Sequence, residues 1–292
     1  MHSLPRKLTL LTAACALALT GCSSSDGDSG SGELVFAFPP GTDDPEQLAQ
    51  IEPVADIVGE LAGREVVTES PADYMGVVEA LRQGHVDVAF LSPFATAIGQ
   101  QAGGLDVGLV WEAGDEPASV LMVRADSGIE TVDDVAGQQV AFVDAGSTTG
   151  HFMPRALLAE AGLEPDEDYE MTFSGGHDSG LLALQQGSVD VAATAAQLVD
   201  VFTDAGVIDP DRVVVLAESD PLPVGSAIVF SEDVDPGVRE QIVAGMPDRV
   251  AENEDMALIF GGHSAVADPA PEVFAPLLEV VEAVGLSLED IR

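Results

Sequence analysis

Gly84-His85-Val86-Asp87-Val88-Ala89 and Gly187-Ser188-Val189-Asp190-Val191-Ala192 are two copies of one local design. In each, a helix-patterned segment, 77–83 or 181–186, stops at a glycine able to take positive φ, and a strand reading Val-Asp-Val-Ala follows. Outward from these copies, short runs rich in Val, Leu, Phe and Ala alternate with longer helix-patterned segments, and Gly, Pro or Asp sits between them. That is an α/β pattern. It predicts strands over 34–38, 65–69, 86–91, 108–111, 119–123, 139–143, 169–173, 189–193, 212–217 and 227–230. Helices are predicted over 44–61, 74–83, 149–161, 179–186 and 197–205. Two similar lobes follow from the repeat. Ligands of open α/β sheets sit beyond the carboxyl ends of the strands, so the cleft between lobes is the expected site.

The start of the chain carries Arg6 and Lys7, then an apolar stretch from Leu8 to Leu19 that is too short to span a bilayer. It reads as a secretory signal over 1–21. Leu19-Thr20-Gly21-Cys22 resembles a lipobox, with Cys22 as the lipidated residue, and Ser23 to Gly32 has no apolar side chain to bury, so 22–32 reads as a flexible leash. Cys15 falls inside the signal, which leaves the folded part no thiol for a disulfide or metal.

Charge narrows the partners. The sequence has 10 Lys+Arg against 51 Asp+Glu, a formal charge of −41, and loss of Arg6 and Lys7 deepens it to about −43 with no lysine left. At 46% hydrophobic residues the chain can still bury a core, so it is a folded protein with an acidic surface. Such a surface repels nucleic acid and anionic lipid. It also repels an anionic ligand at long range, a penalty that salt removes because the Debye length falls to about 3 Å at 1 M. A saline habitat fits this composition, as does a lineage-wide bias.

Two stretches carry chemistry. Ala141-Phe142-Val143-Asp144-Ala145-Gly146-Ser147-Thr148-Thr149-Gly150 reads as a strand, a polar glycine-bounded turn and a helix start. Free backbone N–H groups and the positive end of the helix dipole make an anion site there, and the three hydroxyls extend it. A plain N-cap accounts for one hydroxyl but not three. Phe173-Ser174-Gly175-Gly176-His177-Asp178-Ser179-Gly180 repeats the layout and offers His177 as a donor, neutral or protonated. Asp178 reads as the N-cap of the following helix. Another Gly-Gly-His stands at 261–263.

In family order, Asp73 to Ala80, Val86 to Phe90, Ser147 to Gly150 with Pro154 to Leu158, Gly175 to Asp178, and Ser219 to Pro223 resemble the phosphate/phosphite/phosphonate-binding lipoproteins of ABC importers. These form a type II periplasmic binding-protein group, and the resemblance spans about Leu34 to Ala244. It implies a two-lobed fold, with lobe 1 over 33–124 and 222–292, lobe 2 over 125–221, and hinges near Arg124 to Ile129 and Glu218 to Pro223. It implies that Tyr74, Ser147, Thr148, Thr149 and His177 touch a phosphorus oxyanion, with Gly150, Ser92, Asp178 and His151 as secondary candidates. Read without the family, Tyr74 is a half-buried helix residue packing on a strand. Members that bind an aminoalkyl phosphonate place acids near the positions of Gln197 and Gly225-Ser226, which carry none here, so phosphate, phosphite or a simple alkylphosphonate is favoured. His151 stands where an aromatic is common.

The resemblance further implies an exported monomer anchored to the outer face of the cell membrane and read by an ABC permease. Other classes find less support. Ser147 lies in no Gly-x-Ser-x-Gly elbow, the histidines show no metal spacing, and no Walker loop or G-x-G-x-x-G follows a strand, so no catalytic residue, cofactor or metal is expected. The alternatives are a binding protein for another small anion and a hydrolase using Ser147 and His177. A surface adhesion module has no need of a hydroxyl triplet at a helix start.

Overall fold

The computed structural model describes residues 32–39, 45–253, 256, 259–260 and 264–283. The signal over 1–21, Cys22, all of the leash except Gly32, and Gly261-Gly262-His263 lie outside the described residues. The strands are β1 (Leu34–Ala37), β2 (Val66–Glu69), β3 (Val88–Leu91), β4 (Leu105–Trp111), β5 (Ser119–Arg124), β6 (Gln139–Phe142), β7 (Glu170–Phe173), β8 (Val191–Ala195), β9 (Val213–Glu218), β10 (Ala227–Ser231) and β11 (Ala265–Ala267). The helices are α1 (Pro45–Ala62), α2 (Tyr74–Arg82), α3 (Pro93–Ala102), α4 (Met153–Glu160), α5 (His177–Gln186), α6 (Leu198–Asp204), α7 (Pro236–Ala251) and α8 (Ala275–Ala283).

They build two sheets, ordered β11-β4-β10-β3-β1-β2 and β7-β6-β8-β5-β9. In the first, β2, β1 and β3 run parallel and β10 is antiparallel to β3; in the second, β7, β6 and β8 run parallel and β5 is antiparallel to β8. The repeated Val-Asp-Val-Ala is the reason for this equivalence. Asp87 accepts the N–H of Val35 at 2.8 Å, and Asp190 accepts that of Gln139 at 3.1 Å, so each aspartate ties its strand to the neighbouring parallel strand, β1 or β6. The preceding glycines take the positive φ that their turns need, +67° at Gly84 and +75° at Gly187.

Both faces of both sheets are covered, which is why the central strands read as continuous apolar runs rather than alternating ones. In the first sheet Phe36, Val88, Leu109 and Ile228 pack with α1 and α7 residues on one face, and Ala37, Ala89, Leu91 and Val229 pack with α2 and α3 residues on the other. In the second, Met122, Ala141 and Ala192 face α5 and α6, while Leu121, Val140 and Phe142 face Leu158 of α4.

One boundary differs from the sequence reading. Ser119–Arg124, expected in lobe 1, is β5 of the second sheet, hydrogen-bonded between β8 and β9. The chain therefore leaves the first sheet over 112–118 rather than near Arg124 to Ile129. It returns over 219–226, with Pro117 and Pro221 bridged beside the crossing. Nothing in an apolar strand distinguishes one buried sheet from another. α3 was not predicted because Pro93 through Gly99 are all buried, so no polar face marks the helical period. α7 was missed because Gly245 and Pro247 interrupt its pattern, although Asp235 caps it by accepting the N–H groups of Gly237 and Val238.

Candidate anion cleft

Three helix starts meet between the two sheets, and a fourth follows β7, the strand beside β6. α2 begins at Tyr74 with Asp73 as N-cap, accepting the Gly76 N–H at 2.6 Å, and α3 begins at Pro93 with Ser92 as N-cap. Opposite them, a π-helical turn over Thr148–Phe152, capped by Ser147, leads into α4, and α5 begins at His177 after Gly176. Each start presents N–H groups without intrahelical partners and the positive end of a dipole.

The facing starts touch. The Ser92 hydroxyl donates to Gly146 O at 3.1 Å while accepting from Ala95 N–H, and the Phe94 N–H donates to the Thr148 hydroxyl oxygen at 2.9 Å. Phe94 stacks on Phe152 with ring centroids 3.3 Å apart. A Cβ on Gly146 would lie 2.6 Å from Tyr74 Cβ, so only glycine lets the Ser147 turn approach α2 this closely.

The hydroxyl triplet divides into three roles. Ser147 Oγ accepts the Gly150 N–H at 3.0 Å, the cap that a bland reading assigns to one hydroxyl. Thr148 accepts from the other lobe, and Thr149 is partly buried with no protein partner among the described residues. Accepting a bond uses only a lone pair, so all three O–H groups keep a proton to donate. The Gly150 N–H, spent on Ser147, is not a free donor. Glycine at that position avoids a clash with Val143. Ser92 is committed on both sides and acts as a clasp between lobes.

His177 Nδ1 lies 3.0 Å from the Thr194 hydroxyl and accepts the Ala195 N–H at 3.3 Å. With Nδ1 accepting, the ring proton sits on Nε2, which makes the neutral imidazole a directed donor. Burial holds its pKa down to about 4, with the Asp178 charge opposing. The protonated option is therefore disfavoured. Asp178 is not the N-cap, because α5 starts two residues earlier than expected and Asp178 sits in its first turn, accepting from Ser179. His151 donates from Nδ1 to Ala145 O at 3.0 Å and is boxed by Phe142, Phe152 and Phe173, and burial lowers its pKa to about 4. Tyr74 is buried and its phenol is pushed well above its ordinary value, first by burial and then by Asp144, so it too is a neutral donor.

Asp144, Gly146, Thr194 and Gly225 were not singled out as site residues. Asp144 accepts the Gly146 N–H at 2.8 Å and bonds the Tyr74 N–H across the cleft; burial raises its pKa, as does Asp73. An aspartate two residues before a glycine in a turn is a readable signal. Thr194 carries none, since it reaches His177 from a different strand. At Gly225 a Cβ would lie 2.7 Å from Phe260 O and 3.0 Å from Trp111 O, leaving no room for an acidic side chain.

Two sheets joined by paired crossings, with helix starts converging between them, define a type II periplasmic binding protein. The chain belongs to the ABC transporter phosphonate periplasmic substrate-binding protein family, whose model matches residues 36–262. It is 30% identical over 255 residues to the phosphate-import protein PhnD of Mycolicibacterium smegmatis, covering 80% of this chain and 79% of that protein. Among solved structures, a binding protein component of an ABC phosphonate transporter from Pseudomonas aeruginosa superposes with a TM-score of 0.74 at 16% identity, covering 87% of each chain. PhnD1 from Prochlorococcus marinus in complex with methylphosphonate gives 0.73 at 14% identity, covering 87% of this chain and 98% of that one. These two likenesses show the fold, and the family makes the chain the exported substrate-binding component of an importer.

Proposed function

We propose that the cleft captures a phosphorus oxyanion without an amino group, a phosphonate, phosphite or phosphate, and presents it to an ABC permease. The observation that supports this reading is that neutral donors, the hydroxyls of Ser147, Thr148 and Thr149, the Tyr74 phenol and His177 Nε2–H, all stand at helix starts. Neutral donors and dipoles suit an anion in a protein whose net charge would otherwise repel it. The absence of room for an acid at Gly225 supports a ligand without an ammonium, because an ammonium buried without a carboxylate costs several kcal/mol. The names of the mycobacterial relative and of the methylphosphonate complex fit this ligand class.

Capture without chemistry is the companion inference. Ser147 is committed to Gly150 and His177 Nδ1 to Thr194 and Ala195, so neither side chain is arranged to activate the other. A monomer tethered through a lipid on Cys22 completes the proposal. Thermal denaturation against phosphate, phosphite, methylphosphonate, sulfate and 2-aminoethylphosphonate tests it. The melting temperature should rise with the first three as ln(1 + [L]/Kd), and the recovered ligand should be unchanged. A rise with sulfate alone, or conversion of the ligand to product, would overturn it.

A further inference from the structure

Phe152 belongs to lobe 2 by chain and to lobe 1 by packing. It ends the π-helical turn that carries the cleft hydroxyls, and its N–H closes that turn on Ser147 O at 3.2 Å. Its side chain, 0% exposed, is part of the apolar cluster that α2, α3 and one face of the first sheet build in lobe 1. Among the described residues, no other member of that cluster comes from 119–218, and Phe152 is in neither cluster of its own sheet. The preceding residue shows the alternative. The His151 ring turns back onto Phe142 and Phe173 of the second sheet.

Two elements receive Phe152. Phe94, at the start of α3, stacks on its ring, and the Phe94 backbone bonds Thr148 in the same π-helical turn. The other element is α8. Phe274 just before it, with Leu277 and Val281 inside it, falls at spacings of three and four residues, which makes one buried stripe, and all three lie in the cluster that holds Phe152. α8 packs against α3 of lobe 1 and also against α4 of lobe 2, so it spans the junction beside Phe152.

A fully buried aromatic side chain is one of the larger apolar contributions a single residue makes, and Phe152 draws its burial from the opposite lobe. Lobes that swing apart about the crossings at 112–118 and 219–226 withdraw Phe152 from that cluster and expose the Phe94 ring, so opening costs apolar burial. We propose that Phe152 is a positioning residue and an apolar latch. Seated against Phe94 and beside α8, it holds the hydroxyl-bearing turn against α2 and α3, and the packing of α8 thereby sets how readily the cleft closes on its ligand. The inference rests on the reading of that cleft as the ligand site. It makes Leu277, which offers no polar group to a ligand, a determinant of affinity.

Two substitutions on opposite sides of the contact test it, Phe152→Ala in lobe 2 and Leu277→Ala in α8, with Ile242→Ala as the control. Ile242 is equally buried, but it lies in α7 on the other face of the first sheet, so its loss lowers melting without touching the latch. Small-angle scattering of the ligand-free proteins gives a readout that needs no ligand. The radius of gyration should be larger for both latch variants than for wild type and Ile242→Ala. Calorimetric titration with methylphosphonate, phosphite and phosphate should then show about tenfold weaker binding for both latch variants and wild-type affinity for Ile242→Ala. If wild type binds none of these anions, the ligand assignment fails and the scattering comparison alone judges the latch. Latch variants with the wild-type radius, or with wild-type affinity for an anion that wild type binds, would overturn the proposal. If Phe152→Ala fails to fold, Leu277→Ala decides, because it leaves every residue of the π-helical turn in place.

Discussion

Thr148 serves both lobes at once, because its lone pair accepts the Phe94 N–H of α3 while its proton remains free for a ligand. His177 is arranged in the same spirit, with one nitrogen anchored by its own lobe and the other left to donate. The anchoring has a measurable sign. In the folded chain His177 has a pKa of about 4 against 6.5 when unperturbed, so the unfolded chain takes up this proton first as pH falls. Stability from keeping the ring neutral is complete above pH 6.5 and is lost as pH falls from there through about 4. In a two-dimensional NMR titration the His177 ring should show no midpoint above pH 5, and a midpoint near 6.5 would contradict the assigned tautomer. At this scale the sequence was informative about types and silent about partners. Three hydroxyls before a helix were legible, but the fact that Ser147 caps and Thr148 reaches across depends on Phe94, which is 54 residues away.

α3 shows how an element can be hidden by its own burial. Ser92-Pro93 is a readable start, an N-cap followed by proline at the first helical position, yet the apolar residues after it carry no period. The element matters because its N-cap also clasps Gly146. Ser92→Ala should therefore lose the cap, worth about 1 kcal/mol of stability, together with the bond across the cleft. Urea denaturation should show the first loss, and ligand titration should show a weaker affinity that accompanies it. Unchanged affinity in a destabilised variant would mean that the clasp plays no part in holding the lobes around a ligand. The paired Val-Asp-Val-Ala strands were legible for the opposite reason, since each is a local signal whose aspartate does the same work in both sheets.

For the molecule as a whole, the fold class and the two similar units were within reach of the sequence, whereas the exit from the first sheet was not, because β5 is apolar enough for either sheet. Net charge acts at this scale too. With −41 spread over one chain, added sodium chloride should raise the melting temperature by screening self-repulsion, and ligand capture should survive because its hydrogen bonds act at contact range. A melting temperature that falls steadily with salt would contradict this. Cys22→Ser should release the protein from membranes without changing its melting, and retention after a high-salt wash would refute the lipid anchor. The most direct test of the central claim is calorimetric titration of wild type, Thr148→Val and His177→Ala with methylphosphonate, phosphite and phosphate. Each lost hydrogen bond to an anion is worth roughly 1.5 to 3 kcal/mol, so each variant should bind about ten- to a hundredfold more weakly, while the unliganded variants stay folded but melt lower because the Phe94 and Ala195 N–H groups lose their acceptors. If both variants bind every one of these anions as tightly as wild type, the cleft is not the site and its hydroxyls are helix caps alone.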